Sequence, residues 1–256
     1  MIACLPMYDW DEVRPATDLF WSMIRAELAA QGIAAPEGLH RGARWNDWQA
    51  PDLILSQTCG FPFRTALHDR VELVGTPDYG LPDAAPGYYY SQLVARRGDS
   101  TDWTDYLDRT LAINGYDSQS GWAAPQNHAA LSGRRFDNIH VTGAHRASAE
   151  AVAEGRADLA AIDAVTWRLI AAHRPTLAAR LQIVARTDPT PGLPLITAAG
   201  NDAARIAGCV GKAIAALDAS FRAALGLQGL IAIPKAAYLA VPTPQRDQEG
   251  DGVLDE

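Results

Sequence analysis

The chain has 256 residues, of which 48% are hydrophobic and 20% charged, so it can bury a sizeable core and does not have a disordered composition. Its formal net charge is −8 and it has no cluster of basic residues, which argues against a surface for nucleic acid or anionic membranes. No apolar run approaches the roughly 20 residues of a membrane-spanning helix.

The first part of the chain predicts strands separated by a helix. Apolar and β-rich runs predict strands over residues 2–7, 52–56 and 71–76. A helix is predicted over 15–31, because apolar residues share one face, Pro15 suits a first turn and Gly32 suits a helix end.

The middle of the chain alternates strands with helices of about ten residues. Strands are predicted over 88–96, 111–114, 139–141, 158–162 and 181–186. Helices are predicted over 120–131, 145–155 and 164–172. A Pro/Gly-rich link follows at 188–192, and then a long helix over 201–225, whose apolar residues recur at steps of three or four. Residues 242–256 are polar and predict a frayed end.

Alternating strands and helices indicate parallel βαβ units, and their number is too high for one small sheet. The 88–96 segment and the 188–192 link are interpreted as two crossings between lobes. We therefore expect an α/β protein with two lobes, each a mostly parallel sheet flanked by helices. Residues 1–88 plus 190–256 would form lobe 1, and residues 89–189 would form lobe 2.

Three short turns of small or polar residues each join a strand to a helix, at 117–121 (DSQSG), 142–145 (TGAH) and 161–164 (AIDA). In a parallel sheet all three would lie at the carboxyl ends of strands, where open α/β sheets bind ligands. Each helix start offers free backbone N–H groups and a partial positive charge, which suit an anion.

From their spacing alone, the same residues are equally consistent with ordinary structural roles that involve no ligand. Ser118, Ser120 and Asp163 suit helix N-caps, and His145 suits a surface position in a first helical turn. The three turns together favour a ligand site more strongly than any one of them.

These motifs, with the run 152–163 (VAEGRADLAAID) and the segment 186–194 (RTDPTPGLP), resemble the phosphate-, phosphonate- and phosphite-binding proteins of ABC transporters. Residues 52–60 resemble the family's strand and turn on the facing lobe. The resemblance covers most of residues 1–225. It implies the type II periplasmic-binding-protein fold, with two hinge crossings and a ligand in the interlobe cleft.

The resemblance also implies roles for particular residues. The serine-rich turn and the histidine would bind the ligand's oxyanion, and these residues are Ser118, Gln119, Ser120, Gly121 and His145. Asp163 would face the ligand's other end or an amine. Thr58 would donate a hydrogen bond from lobe 1, and aromatic residues would line the cleft, namely Tyr8, Trp10 and one of Tyr88, Tyr89 and Tyr90, taken here as Tyr89. Gln119 departs from the family, which usually has Thr there, and its longer side chain is expected to fill space that a phosphonate's third oxygen needs.

The sequence thus predicts a monomeric solute-binding protein for a small anionic or zwitterionic ligand, phosphonate- or phosphate-like, with an ABC permease as partner. It predicts no catalytic residues, metal or cofactor. A cytoplasmic enzyme with His145 as base and Asp163 as its orienting group is the alternative, and a ligand sensor is another. The family implies a periplasmic or membrane-associated location, whereas residues 1–10 show no signal peptide and indicate the cytoplasm if the chain is complete.

Overall fold

The computed structural model describes residues 1–42 and 44–245, and it shows two lobes that are each built on a five-stranded sheet. A two-stranded ribbon lies where the chain crosses between the lobes. The predicted two-lobed α/β architecture is confirmed.

The sheet of the first lobe contains β1 (Ile2–Cys4), β2 (Leu53–Gln57), β3 (Val71–Asp78), β11 (Leu195–Ala198) and β12 (Gly229–Ile231). Its strand order is β1-β2-β11-β3-β12. β1 and β2 pair in parallel, whereas β11 runs antiparallel between β2 and β3, and β12 runs antiparallel to β3. Most of its strands therefore point one way, although the sheet is mixed.

The sheet of the second lobe contains β5 (Ser91–Arg96), β6 (Leu111–Ile113), β7 (Ile139–Val141), β8 (Leu159–Asp163) and β9 (Leu181–Arg186). Its order is β7-β6-β8-β5-β9, with β6 parallel to both β7 and β8. β5 is antiparallel to its neighbours β8 and β9. The carboxyl ends of β6, β7 and β8 consequently meet at one edge of this sheet.

The two crossings pair with each other as β4 (Tyr88–Tyr89) and β10 (Thr190–Pro191), which run antiparallel. The Gly192 amide also donates to the Gly87 carbonyl at 2.8 Å. The predicted strand over 88–96 is therefore two strands, since β4 belongs to this ribbon and β5 to the second sheet.

Helices flank both sheets. The first lobe carries α1 (Arg14–Ala30), α2 (Arg44–Trp48), α3 (Gly60–Pro62), α8 (Ala203–Ala216), α9 (Ala219–Leu225) and α10 (Lys235–Leu239). The second lobe carries α4 (Ala124–Ala130), α5 (His145–Glu154), α6 (Ala164–His173) and α7 (Pro175–Ala179). π-helical turns follow α3 at Phe63–Leu67 and precede α4 at Gln119–Ala123, and a 3₁₀ turn spans Trp103–Tyr106.

The hydrophobic cores follow the predicted apolar faces. In the first lobe, Ile24 and Leu28 of α1 pack with Ile206 and Val210 of α8 against the sheet. The second sheet is covered on both faces, because the buried side chains of β5 alternate between two clusters, with Leu93 in one and Val94 in the other.

The predicted long helix over 201–225 is interrupted, and this expectation was wrong. Leu217 is extended (ψ 132°), so the chain forms α8 and then α9. The Arg222 guanidinium donates to the carbonyls of Ile214 and Ala215, both at 2.9 Å, and thereby satisfies groups that a continuing helix would have satisfied. The apolar spacing persists across the break because Leu217 and Phe221 still reach the same core.

Asp202 and Asp218 begin α8 and α9, but only Asp202 accepts a capping hydrogen bond, from the Arg205 amide at 3.0 Å. We expect Asp202→Ala to lower the free energy of unfolding by about 0.5–2 kcal/mol, because that amide loses its acceptor. Asp218→Ala is the matched control and should change it by a few tenths of a kcal/mol. Denaturant unfolding measures both, and equal losses would contradict the assignment.

Candidate ligand-binding cleft

A cavity of about 370 Å³ lies between the two lobes. The second lobe lines it with side chains that include Asn114, Ser118, Ser120, His145, Asp163 and Thr166. The first lobe contributes the segment after β1, including Tyr8 and Trp10, together with Trp48, Cys59 and Leu193. Both lobes therefore form its wall, at the carboxyl edge of the second sheet.

Three helix starts converge on this cavity. The turn after β6 places Ser118 and Ser120 at the start of the π-helical turn, and the Gly121 amide donates to Ser118 Oγ at 2.9 Å. The turn after β7 leads into α5, which begins at His145. β8 ends at Asp163, whose Oδ1 accepts from the amides of Val165 and Thr166 at 3.1 and 2.9 Å. Ser118 and Asp163 thus have the predicted capping role and also line the cleft.

His145 joins the other two turns. Its Nε2 lies 2.8 Å from Ser120 Oγ and 3.4 Å from Asp163 Oδ2. In a serine–histidine–aspartate catalytic triad the hydroxyl and the carboxylate contact opposite ring nitrogens. Here both contact the same nitrogen, so the three side chains do not have that geometry.

The electrostatics of the cleft centre on Asp163, whose side chain is buried. Burial lowers the pKa of His145, although the nearby Asp163 opposes this shift. At neutral pH the imidazole is therefore neutral, and it gives the carboxylate a hydrogen-bonding neighbour without a compensating charge. Asp9 and Asp11 also line the cleft, but they form ion pairs with Arg41 and Arg14, both at 2.6 Å.

Tyr8 and Trp10 form the facing wall. Tyr8 has a left-handed backbone (φ 63°), and its ring packs edge-on against Tyr79 at 5.2 Å. Burial raises the pKa of Tyr8, and the charge of Asp163 raises it further. Trp10 has the guanidinium groups of Arg146 and Arg174 over its ring at 5.6 and 5.8 Å, and both arginines come from the second lobe.

Four predicted site residues do not line the cavity. Thr58 and Tyr89 are buried at 0% and 2% exposure; Thr58 follows β2 directly, and Tyr89 lies in the ribbon between the lobes. Gln119 turns away and accepts from Arg64 Nη1 at 2.5 Å, so the expectation that it fills space in the cleft was wrong. Gly121 packs on Asn114, and a Cβ atom there would lie 1.9 Å from Asn114 Oδ1.

Residues 55–238 match a family model described as ABC transporter, phosphonate, periplasmic substrate-binding protein. The match spans well over half of the 256 residues. The chain belongs to this family. None of the curated proteins matches the chain in sequence.

Solved structures share the fold at low sequence identity. XAC2383 from Xanthomonas citri, bound to chloride ion, has 15% identity and a TM-score of 0.69 over 93% of this chain and 92% of its own. PhnD1 from Prochlorococcus marinus in complex with methylphosphonate has 14% identity and a TM-score of 0.68 over 93% and 94%. A binding protein component of an ABC phosphonate transporter from Pseudomonas aeruginosa has 14% identity and a TM-score of 0.64 over 90% and 80%. The predicted type II periplasmic-binding-protein fold is confirmed.

As a member of this family, the protein is a solute-binding component for ABC-type uptake, as the sequence predicted. Its expected partners are a small-molecule ligand and an ABC permease. In the part of the chain that the structure describes, every helix is too short or too polar to cross a bilayer.

Several cleft residues were not predicted from the sequence. Asn114 follows β6 directly, and the rule that placed Ser118 at a strand end would also have found it. Arg146 and Thr166 lie in the first turns of α5 and α6, where the same rule applies. Cys59 gave no signal of its own, since its position depends on how the lobes face each other.

The shifted pKa of His145 predicts a dependence of stability on pH. Because this pKa is lower in the folded protein than its usual value of 6.5, the unfolded chain binds the proton first as the pH falls. The contribution of His145 to stability is therefore present at neutral pH and is lost as the pH falls from about 6.5 towards the folded pKa. We expect His145→Asn to flatten the pH dependence of the unfolding free energy between about pH 7.5 and pH 5.

Denaturant unfolding at several pH values measures this slope. Ser132→Ala, which removes no titratable group, is the control and should keep the wild-type slope. An unchanged slope in His145→Asn would contradict the assignment.

Proposed function

We propose that the cleft binds a small oxyanion of the phosphonate or phosphate class, with the second lobe holding its anionic end. The convergence of Ser120, His145 and Asp163 at three helix starts in one interlobe cavity supports this proposal most directly. In this proposal residues 1–88 plus 190–256 and residues 89–189 are the two moving lobes, of which residues 43 and 246–256 lie outside the described residues, and the protein acts as a monomer.

The oxyanion fits the turns that carry Ser118, Ser120 and His145. Hydroxyl and imidazole groups donate hydrogen bonds, and the first backbone amides of a helix carry a partial positive charge. These donors are uncharged, which agrees with an acidic chain of net charge −8.

The position of Asp163 favours a ligand with a positively charged group at its other end. Its carboxyl group is buried, and among the described residues the neutral imidazole of His145 and the hydroxyl of Tyr8 lie near it. A buried anion gains from an opposite charge, so an amine on the ligand would be stabilised there. A zwitterion such as an aminoalkylphosphonate satisfies both ends.

The lobes are in contact around the cleft, which supports capture by closure about the two crossings. Arg174 Nη1 donates to Glu12 at 2.5 Å, and Arg168 Nη1 donates to the Tyr79 carbonyl at 3.1 Å. Each contact joins the second lobe to the first. Opening would separate these pairs and expose the cavity.

Ser120→Ala tests the oxyanion contact. We expect it to weaken binding of methylphosphonate about 10- to 100-fold, because a hydrogen bond to a charged group contributes about 1.5–3 kcal/mol. Isothermal titration with phosphonates, phosphite, phosphate and sulfonates measures the wild type and the variant. Ser132→Ala is the matched control, since Ser132 lies beyond the end of α4 and its Oγ donates to the Ala129 carbonyl. Wild-type affinity in Ser120→Ala would refute the contact.

Asp163→Asn tests whether Asp163 binds a positively charged group of the ligand. Asn also caps helices, so the fold should survive while the charge is lost. We expect about a tenfold or larger loss of affinity for an aminoalkylphosphonate and no loss for methylphosphonate. Asp117→Asn, at the exposed rim of the cleft, is the control and should affect both ligands little. An equal loss for the two ligands in Asp163→Asn would show that Asp163 does not recognise an amine.

A further inference from the structure

Arg64 is a buried arginine at the boundary of the lobes, and no carboxylate of the described residues pairs with it. Its side chain is 6% exposed and lies over the Phe61 ring at 4.7 Å. It donates to Gln119 Oε1 at 2.5 Å, to Thr243 Oγ1 at 2.9 Å and to the Pro242 carbonyl at 3.3 Å. All three acceptors are neutral, so the guanidinium is hydrogen-bonded but no described residue balances its charge.

The described groups around Arg64 do not supply the missing negative charge. The titratable side chains near it, in the part of the chain that the structure describes, are Cys59 and Tyr89. Burial raises the pKa of both, so they are neutral at neutral pH. Buried charges in proteins are normally paired, since an unpaired one is costly. A negative charge close to Arg64 would therefore be stabilised.

The residue that accepts a hydrogen bond from Arg64 is a direct sequence neighbour of two residues that line the cleft. Gln119, which accepts from Arg64, stands between Ser118 and Ser120, and both serines line the cavity. The Gln119 amide also donates to Cys59 Sγ at 3.3 Å, and Cys59 is part of the cavity wall. Charges interact more strongly through the low-dielectric protein interior than through water.

We propose that Arg64 is the cation of the oxyanion site and that it acts through Gln119 without touching the ligand. It is a positioning residue whose charge stabilises an anion held by the serine turn, and it favours a dianion over a monoanion. Because Arg64 lies in the first lobe and Gln119 in the second, the charge reaches the site only when the lobes are together. This inference rests on the proposed function.

Gln119→Glu and Arg64→Met test in two ways whether the charge of Arg64 stabilises the bound anion. Glu at position 119 would pair with Arg64 and neutralise it in place, and Met at position 64 would remove it. We expect both to weaken binding of methylphosphonate, in a buffer where it is a dianion, about tenfold or more. The loss for methylsulfonate, a monoanion of similar shape, should be clearly smaller. Isothermal titration measures both ligands.

Two controls separate charge from structure. Arg64→Lys keeps the charge and should recover most of the affinity lost in Arg64→Met. Thr243→Val removes one hydrogen bond to Arg64 but leaves its charge, so it should bind as the wild type does. Thermal melting confirms that each variant is folded, and Gln119→Glu decides the question if Arg64→Met does not fold.

The outcomes distinguish this inference from the proposed function. Wild-type protein that fails to bind methylphosphonate would overturn the oxyanion site and the role of Arg64 together. Wild-type binding with unchanged affinity in Gln119→Glu would overturn the role of Arg64 alone. An equal loss for both ligands, or no recovery in Arg64→Lys, would assign Arg64 a purely structural role.

Discussion

The pairing of the two chain crossings is the constraint on which the rest of the structure depends. β4 and β10 are only two residues long, yet they tie the outgoing and returning chain together between the sheets. With both crossings on one side, the lobes can only face each other across a single cleft. The carboxyl edge of the second sheet then meets the segment that carries Tyr8 and Trp10.

Within that cleft, function follows from which polar groups are charged. His145 is neutral because it is buried, the Asp163 side chain lies beside it, and the serine turn supplies uncharged donors. The only buried arginine among the described residues lies behind the wall. The site is thus polar at one end and acidic at the other, and it suits a small ligand whose own charges are separated.

The sequence predicted the features that depend on local pattern. The apolar spacing of α1, the strand–turn–helix units of the second lobe and the three turns at strand ends are all local, and the structure brings Ser120, His145 and Asp163 together as those turns implied. The resemblance to the family added the two lobes, which spacing alone only suggested.

What the sequence could not give depends on contacts between distant segments. β11 has only four residues and is defined by its position between β2 and β3. The orientation of Gln119 depends on Arg64, which is 55 residues away in the chain and in the other lobe. The break between α8 and α9 depends on a side chain satisfying free carbonyls, which apolar spacing does not report.

The left-handed backbone of Tyr8 has a consequence for how the facing wall can change over evolution. A non-glycine residue in this conformation costs of order 1–3 kcal/mol, and β-branched residues tolerate it worst. Replacing Tyr8 with valine or isoleucine would therefore remove the ring and also disturb the path of the loop. A substitution at Tyr8 therefore changes both the aromatic surface opposite Asp163 and the course of the chain after β1.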